Sequence, residues 1–280
     1  MSEISRRGFI KGALALGAIP LTGQASSPKE ETLKFIHVTD SHMDLSDSDS
    51  VDSMKLMASF INENYKDLDF VMFGGDNFNN NVSGDQDAKV FKEIIQTLHC
   101  PSLVVRGNKE SSPKPKDGIY EEEFKNMFVN GKGLSVNKND WLLEIKGFNI
   151  LGLDSCIKDA NNGLYTEHTM AFAERALQNK KPTVILNHHP YTNYWGGTEQ
   201  KDIHKYVLNN SKEVQKRLFR YHNLILTLSG HKHIDSVKEL DHTKMIVTRG
   251  FVRPLDLDMY PMRYVEIKGN KIDEKLIYTS

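Results

Sequence analysis

The sequence predicts an α/β fold built from two mixed β-sheets flanked by helices. Short apolar runs at 33–39, 69–73 and 102–106 alternate with longer amphipathic segments at 51–65 and 86–99, the signature of parallel strands joined by crossover helices. After Trp141 the pattern changes to paired runs joined by tight turns, which points to a second sheet. A chain of 280 residues, 39% hydrophobic and 26% charged, has enough apolar material for a full core, which excludes disordered or collagen-like states.

In chain order, the first feature lies outside that fold. Ser5-Arg6-Arg7-Gly8-Phe9-Ile10-Lys11 precedes an apolar run at 12–21 that is too short to span a bilayer, and Gly23-Gln24-Ala25 supplies small residues for cleavage. The pattern resembles a twin-arginine signal peptide, so residues 1–25 are expected to engage the twin-arginine translocation machinery and the mature protein to be periplasmic or otherwise exported. One domain is expected over 26–280, with no membrane span. Without residues 1–25 the chain carries 33 basic against 36 acidic residues. No basic field draws in nucleic acid, and no nucleic-acid binding is expected.

Residues 33–39 then read as a buried strand. The acidic stretch at 44–52 lacks the glycine and terminal glutamate of a calcium loop and reads as a solvated surface loop. Residues 51–65 read as a helix and 69–73 as a strand. At 86–99 a second helix places Val90, Phe91, Ile94, Ile95 and Leu98 on one face, and 102–106 is the next strand. The runs at 141–146 and 148–154 form a hairpin turning at Lys146-Gly147; 183–186 and 224–229 are further strands, and another hairpin turns at Gly269-Asn270. Cys100 and Cys156 are too sparse for a disulfide framework and read as two free thiols, with a single bridge as the other possibility.

Five predicted strands end in metal-ligand residue types. They run into Asp40-Ser41-His42, Gly74-Gly75-Asp76-Asn77, Arg106-Gly107-Asn108-Lys109-Glu110, Asn187-His188-His189-Pro190 and Gly230-His231-Lys232-His233. Ligands of open α/β sheets gather beyond the carboxyl ends of strands, where rigid strands aim short loops into one crevice. A set of imidazole, carboxylate and amide oxygens suits Mn, Fe or Zn rather than calcium, and it is too large for one ion. Of eleven histidines, His42, His188, His189, His231 and His233 belong to these motifs. His37, His99, His168, His204, His222 and His242 have no motif context and read as surface or structural.

This ordered set over residues 33–268 resembles the calcineurin-like metallophosphoesterase superfamily. The resemblance implies a four-layer αββα sandwich and a binuclear centre that hydrolyses phosphate mono- or diesters of a small substrate by a hydroxide bridging two divalent or trivalent metal ions. It implies that Asp40, His42 and His233 hold one metal, that Asn108, His188 and His231 hold the other, and that Asp76 bridges. His189 is expected to face substrate near the leaving group or to support the ligands. The form of the motifs is most similar to the cyclic-nucleotide phosphodiesterase branch; a periplasmic phosphomonoesterase or nucleotidase, or a weakened metal-bound binding module, is the alternative.

Two positions depart from that pattern. The residue after the motif asparagine is usually histidine in the superfamily, whereas Lys109 stands here. A lysine is a poor proton donor at neutral pH but a good point charge for a phosphoryl oxygen, so electrostatic catalysis is expected of Lys109 unless it points to solvent. Asn79 stands where a second carboxylate is common, which weakens any supporting role there. Tyr191, Tyr194, Trp195, Gly196 and Gly197 suggest an aromatic lid or packing against the body, and Arg249 and Arg253 suggest phosphate contacts or surface ion pairs.

Overall fold

The computed structural model describes residues 31–192, 200–252 and 260–279. The signal segment with Arg6 and Arg7, the loop residues Tyr194, Trp195, Gly196 and Gly197, and Arg253 lie outside the described residues.

Sheet one has the order β12-β11-β1-β2-β3, with β1 (Thr32–Val38), β2 (Phe70–Phe73), β3 (Ser102–Val104), β11 (Tyr260–Lys268) and β12 (Lys271–Thr279). β1, β2 and β3 are parallel, while the β11/β12 hairpin joins β1 antiparallel. Gly269 in its turn has φ 56°, a left-handed conformation that suits glycine. Sheet two has the order β4-β5-β6-β7-β8-β10-β9. It comprises β4 (Ser135–Asn137), β5 (Asp140–Ile145), β6 (Phe148–Gly152), β7 (Thr183–Leu186), β8 (Leu224–Ser229), β9 (Ser236–Leu240) and β10 (Thr243–Val247). Its inner strands β6, β7, β8 and β10 are parallel, and its margins are antiparallel.

Side-chain alternation places the layers. On β7, Val184 and Leu186 join the core shared with sheet one, whereas Ile185 packs with the helices Glu167–Leu177 and Ser211–Leu218. Successive strand residues face opposite sides, so one strand serves both an inter-sheet layer and a sheet–helix layer. On sheet one, α1 (Ser48–Asn64) and α2 (Gln86–Gln96) bury Met54, Met57, Ile61, Phe91 and Ile95, and Phe91 meets Phe73 edge-on with centroids 5.3 Å apart. Two facing sheets with helices on the outer faces result, as the family resemblance implies.

Two local expectations change. The acidic stretch is not all loop: α1 begins at Ser48 because the Asp47 carboxylate accepts the Asp49 N–H at 3.1 Å, a helix N-cap. The second helix stops at Gln96 rather than residue 99, where the Thr97 hydroxyl donates to Ile94 O at 2.7 Å and Pro101 follows. For Tyr191 the open choice narrows to packing against the body: it is buried, its hydroxyl lies 2.6 Å from that of Tyr165, and its ring packs on Phe219. Cys100 and Cys156 are both free.

Trp141 fastens the sheets together. Its ring is fully buried on β5, and its Nε1–H donates across the interface to Val104 O on β3 at 2.9 Å. Trp141→Phe should therefore cost about 1–3 kcal/mol through the orphaned carbonyl, and Trp141→Ala about 3–5 kcal/mol through the cavity. Urea unfolding of the three proteins checks this; equal midpoints would show that the sheets are held elsewhere.

Candidate metal centre

Every motif loop leaves the carboxyl end of a parallel strand, three from sheet one and two from sheet two. Asp40, His42, Asp76, His231 and His233 have φ of 54°, 43°, 49°, 66° and 58°. Left-handed backbone at such residues costs of order 1–3 kcal/mol each and persists where the surroundings over-determine it. Here the surroundings are a backbone lattice: Asp40 N–H donates to Gly75 O at 3.0 Å, His42 N–H to Asp76 O at 2.8 Å, and Gly230 N–H to His188 O at 3.0 Å. A Cβ at Gly230 would overlap the Thr39 hydroxyl and the Asp40 carboxylate, so that motif position tolerates only glycine.

Glu110 anchors two of the loops. Fully buried, it accepts four backbone N–H groups: Asn77 at 2.6 Å and Phe78 at 3.2 Å on Oε1, Gly107 at 2.7 Å and Asp76 at 3.1 Å on Oε2. It closes a four-residue helix, α3 (Asn108–Ser111), whose Lys109 N–H donates to Asp76 Oδ1 at 2.8 Å. Burial, then the nearby Asp76 carboxylate, pushes Glu110 up to about 7 against the pull of these amides.

The histidine rings are oriented from outside. His188 Nδ1 meets Gly74 O at 2.9 Å, His231 Nε2 meets Lys205 O at 2.7 Å, and His42 Nδ1 meets Asn79 Oδ1 at 3.2 Å. A carbonyl oxygen only accepts, so each outer nitrogen carries the hydrogen and, in the neutral ring, the inner nitrogen is bare. These inner nitrogens converge: His42 Nε2 lies 3.0 Å from His233 Nε2, and His188 Nε2 lies 3.1 Å from His231 Nδ1. Two lone pairs at that separation repel unless a cation lies between or beside them.

Carboxylates complete the arrangement. Asp40 Oδ1 is 3.2 Å from His233 Nε2 and 4.0 Å from His42 Nε2. Asp76 turns Oδ2 toward His42, at 3.7 Å, and Oδ1 toward His188, at 3.5 Å, so its two oxygens address both histidine clusters. Asn108 Oδ1 lies 3.2 Å from His188 Nε2. All seven ligand positions are thus brought together, and the ligand atoms of Asp40, His42 and His233, and of Asp40, Asp76 and His188, lie within 4.8 Å of one another. The donor set and its inward lone pairs fit borderline transition-metal ions.

Burial acts on these groups against their charged neighbours. It pushes Asp40 and Asp76 up, but the histidines facing them hold both carboxyls well below their usual range. Burial lowers His188, but Asp76, Asp40 and the Gly74 carbonyl together raise it to about 9. Burial, then His188, brings His231 down to about 4.

His189 takes the supporting role and not the substrate-facing one. It is fully buried, its Nδ1 is 2.8 Å from Ser155 Oγ, and its Nε2 is 3.1 Å from Asn161 O. Although its ring lies beside His188 and His231, the carbonyl requires Nε2–H and the hydroxyl occupies Nδ1, which removes His189 from the leaving-group position. Asn79 is more than a weakened carboxylate: its Oδ1 accepts from His42 while its Nδ2 donates to Asp44 Oδ2 at 2.8 Å, so Asp44 orients the ligand through an amide.

A cavity of about 690 Å³ opens over these residues, and Lys109 lines it together with Asn161, Asn162, His204, Lys205 and Tyr206. Arg249 is not among its lining residues and acts instead on Asp235. Further residues stand at the centre: Glu110 lies in the quoted motif without an assigned role, and Asp44 and the cavity-lining His204 carry no motif. Glu110 had a signal, its place directly after the Asn-Lys pair; the other two had none.

A family model described as calcineurin-like phosphoesterase matches residues 33–235. A protein of Arcobacter nitrofigilis named "probable glycerophosphodiester phosphodiesterase" is 26% identical over 167 residues, 59% of this chain and 56% of that relative, so the match spans little more than half of it. Among solved structures, a dimetal phosphatase from Danio rerio superposes with TM-score 0.63 at 11% identity, covering 89% of this chain and 99% of its own. A purple acid phosphatase from yellow lupin (Lupinus luteus) superposes with TM-score 0.61 at 14% identity over 89% of this chain and 52% of its own. These two likenesses establish the shared fold.

The His188 environment predicts a proton balance. With a value near 9, the metal-free ring is protonated at pH 7, and a cation needs its lone pair, so binding must expel that proton and affinity must rise with pH up to about 9. Calorimetric titration of Mn²⁺ into chelator-stripped protein at pH 7, in buffers of different ionisation enthalpy, should report release of about one proton or more. Heats independent of buffer would contradict this.

Proposed function

The chain belongs to the calcineurin-like phosphoesterase family, and from that premise we propose that it is an exported, two-metal hydrolase of small phosphate esters, phosphodiesters foremost. The observation that carries this reading is the Asp76 carboxylate, one oxygen toward each cluster of inward-facing imidazole nitrogens. Asp40, His42 and His233 would hold one transition-metal ion, Asn108, His188 and His231 the other, with Asp76 shared. Bound there, Mn, Fe or Zn would supply Lewis acidity, activating a water and drawing charge from phosphoryl oxygens.

The chain's own residues bind and orient. Lys109 lines the cavity beside Asn108 and Asp76, where an ammonium attracts the anionic oxygens of the ester. Asn161 and Asn162 offer neutral amides on the same wall, and His189 fixes Asn161 through its carbonyl. The cavity volume lies in the usual range for a small ligand. The name of the curated relative supports a diester of a small alcohol, while Lys109 also suits a dianionic monoester.

The twin-arginine pattern at Arg6-Arg7 supports export to the periplasm by the machinery that carries folded proteins, and cleavage near Ala25. Among the described residues no helix is long and apolar enough to cross a membrane. Replacing Arg6 and Arg7 with lysine should leave uncleaved protein in the cytoplasm, as fractionation and N-terminal sequencing would show; normal export of that variant would refute the signal.

The activity is tested by measuring bound metal in the exported protein and assaying it on a mono- and a diester of the same aryl alcohol. Activity should vanish with chelation and return with Mn, Zn or Fe. Asp76→Asn should lose at least ~10³-fold on both esters, since it disrupts the electrostatics of the whole centre. No turnover of either ester after metal loading would sink the hydrolase reading.

A further inference from the structure

Cleaving a P–O bond leaves an electron pair on the departing oxygen, and an alcohol of high pKa needs a proton there as the bond breaks. In the residues assigned so far that proton has no donor. Lys109 stands where a histidine is usual, and an ammonium suits attraction of anionic oxygens rather than proton donation. His189 is enclosed, with both ring nitrogens engaged.

The cavity holds one more imidazole. Resting on the hydrolase reading above, we infer that His204 is the catalytic acid that protonates the leaving group. His204 lines the same cavity as Asp76, Asn108 and Lys109, and the other histidines of that lining, His42, His231 and His233, all belong to the ligand set. Its ring is exposed and makes no hydrogen bond among the described residues, so its nitrogens are available to a substrate.

The segment carrying it is nonetheless fixed. His204 lies in a 3₁₀ turn, Gln200–Lys205, whose last carbonyl, Lys205 O, accepts from His231 Nε2 at 2.7 Å. The next residue, Tyr206, places its ring 6.0 Å from that of His231, and Lys232 Nζ stands 3.7 Å over it. The same contact that orients the His231 ring therefore ties the turn bearing His204 to the cavity wall. An imidazole can hand a proton to the leaving oxygen from one ring nitrogen and is neutral once it has done so.

The step balances. The oxygen of water forms the new P–O bond and releases its proton to solvent; the old P–O bond breaks with its electron pair on the leaving oxygen. That oxygen takes a proton from the His204 imidazolium and departs as an alcohol, and the neutral ring regains a proton from solvent.

Leaving-group dependence tests this in the metal-loaded protein. Two methyl phosphodiesters are compared, one releasing p-nitrophenolate, which needs no proton to depart, the other an unactivated alcohol such as glycerol. His204→Gln should lower kcat/KM on the alkyl ester by ~30-fold or more beyond any loss on the aryl ester, with metal content unchanged. Adding Lys109→His should restore part of the alkyl rate, and His99→Gln, at an exposed position hydrogen-bonded to Asn62, serves as the control. Equal losses on both esters, or none, would overturn the role of His204. A wild-type protein that turned over neither ester would mark failure of the hydrolase reading itself.

Discussion

The site depends on the buried carboxylate of Glu110 and the four backbone amides it gathers. Three of those amides belong to the loop after β2 and one to the loop after β3. Parallel neighbouring strands leave their carboxyl ends side by side but do not hydrogen-bond the loops beyond them, so something must replace the ladder there. A buried hydrogen bond is worth about 0.5–1.5 kcal/mol net, and here one side chain accepts four. The loop bearing Asp76 and the helix bearing Asn108 and Lys109 are thereby one unit, closed by the Lys109 N–H on Asp76 Oδ1.

Sheet two is joined to that unit by groups that also set the ligand rings. His188 spans the gap with its outer nitrogen on Gly74 O, and the His231 backbone N–H donates to the Asp40 carboxylate, 2.9 Å from Oδ2. Inter-sheet cohesion at this edge and ligand geometry therefore rest on the same hydrogen bonds. The five left-handed ligand residues follow from this: a loop that turns back at once aims its side chain into the crevice, and the backbone lattice between the sheets offsets the strain.

Much of this was legible in the sequence because its carriers are local. Strands such as β7 and β8 coincide with continuous apolar runs, and ligand pairs such as Asp40 and His42 sit directly after them. What was not legible is relational. Asp44 lies in an acidic stretch that reads as solvated surface; its value comes from Asn79 and Asn81, more than thirty residues away in sequence, both donating to Asp44 Oδ2. His189 could not be told from His188 by adjacency, because facing a carbonyl or a cavity depends on Asn161 and Ser155, which arrive from another loop. Whether Tyr191 lines a lid or packs on the body depends likewise on Tyr165 and Phe219, which enclose it.

Those relations also explain why fold and function are hard to separate at this edge. Asp40 and Asp76 are buried anions, which in a low-dielectric interior must be neutralised by protons or cations. In the metal-free chain the histidines supply that charge, and His188 is the ring most strongly held protonated by Asp76. Metal ions would take over the same task with more charge and without spending a ring nitrogen on a proton. The crevice is thus built around positive charge whichever species provides it, and the inward lone pairs of His42, His188, His231 and His233 make a metal the better occupant.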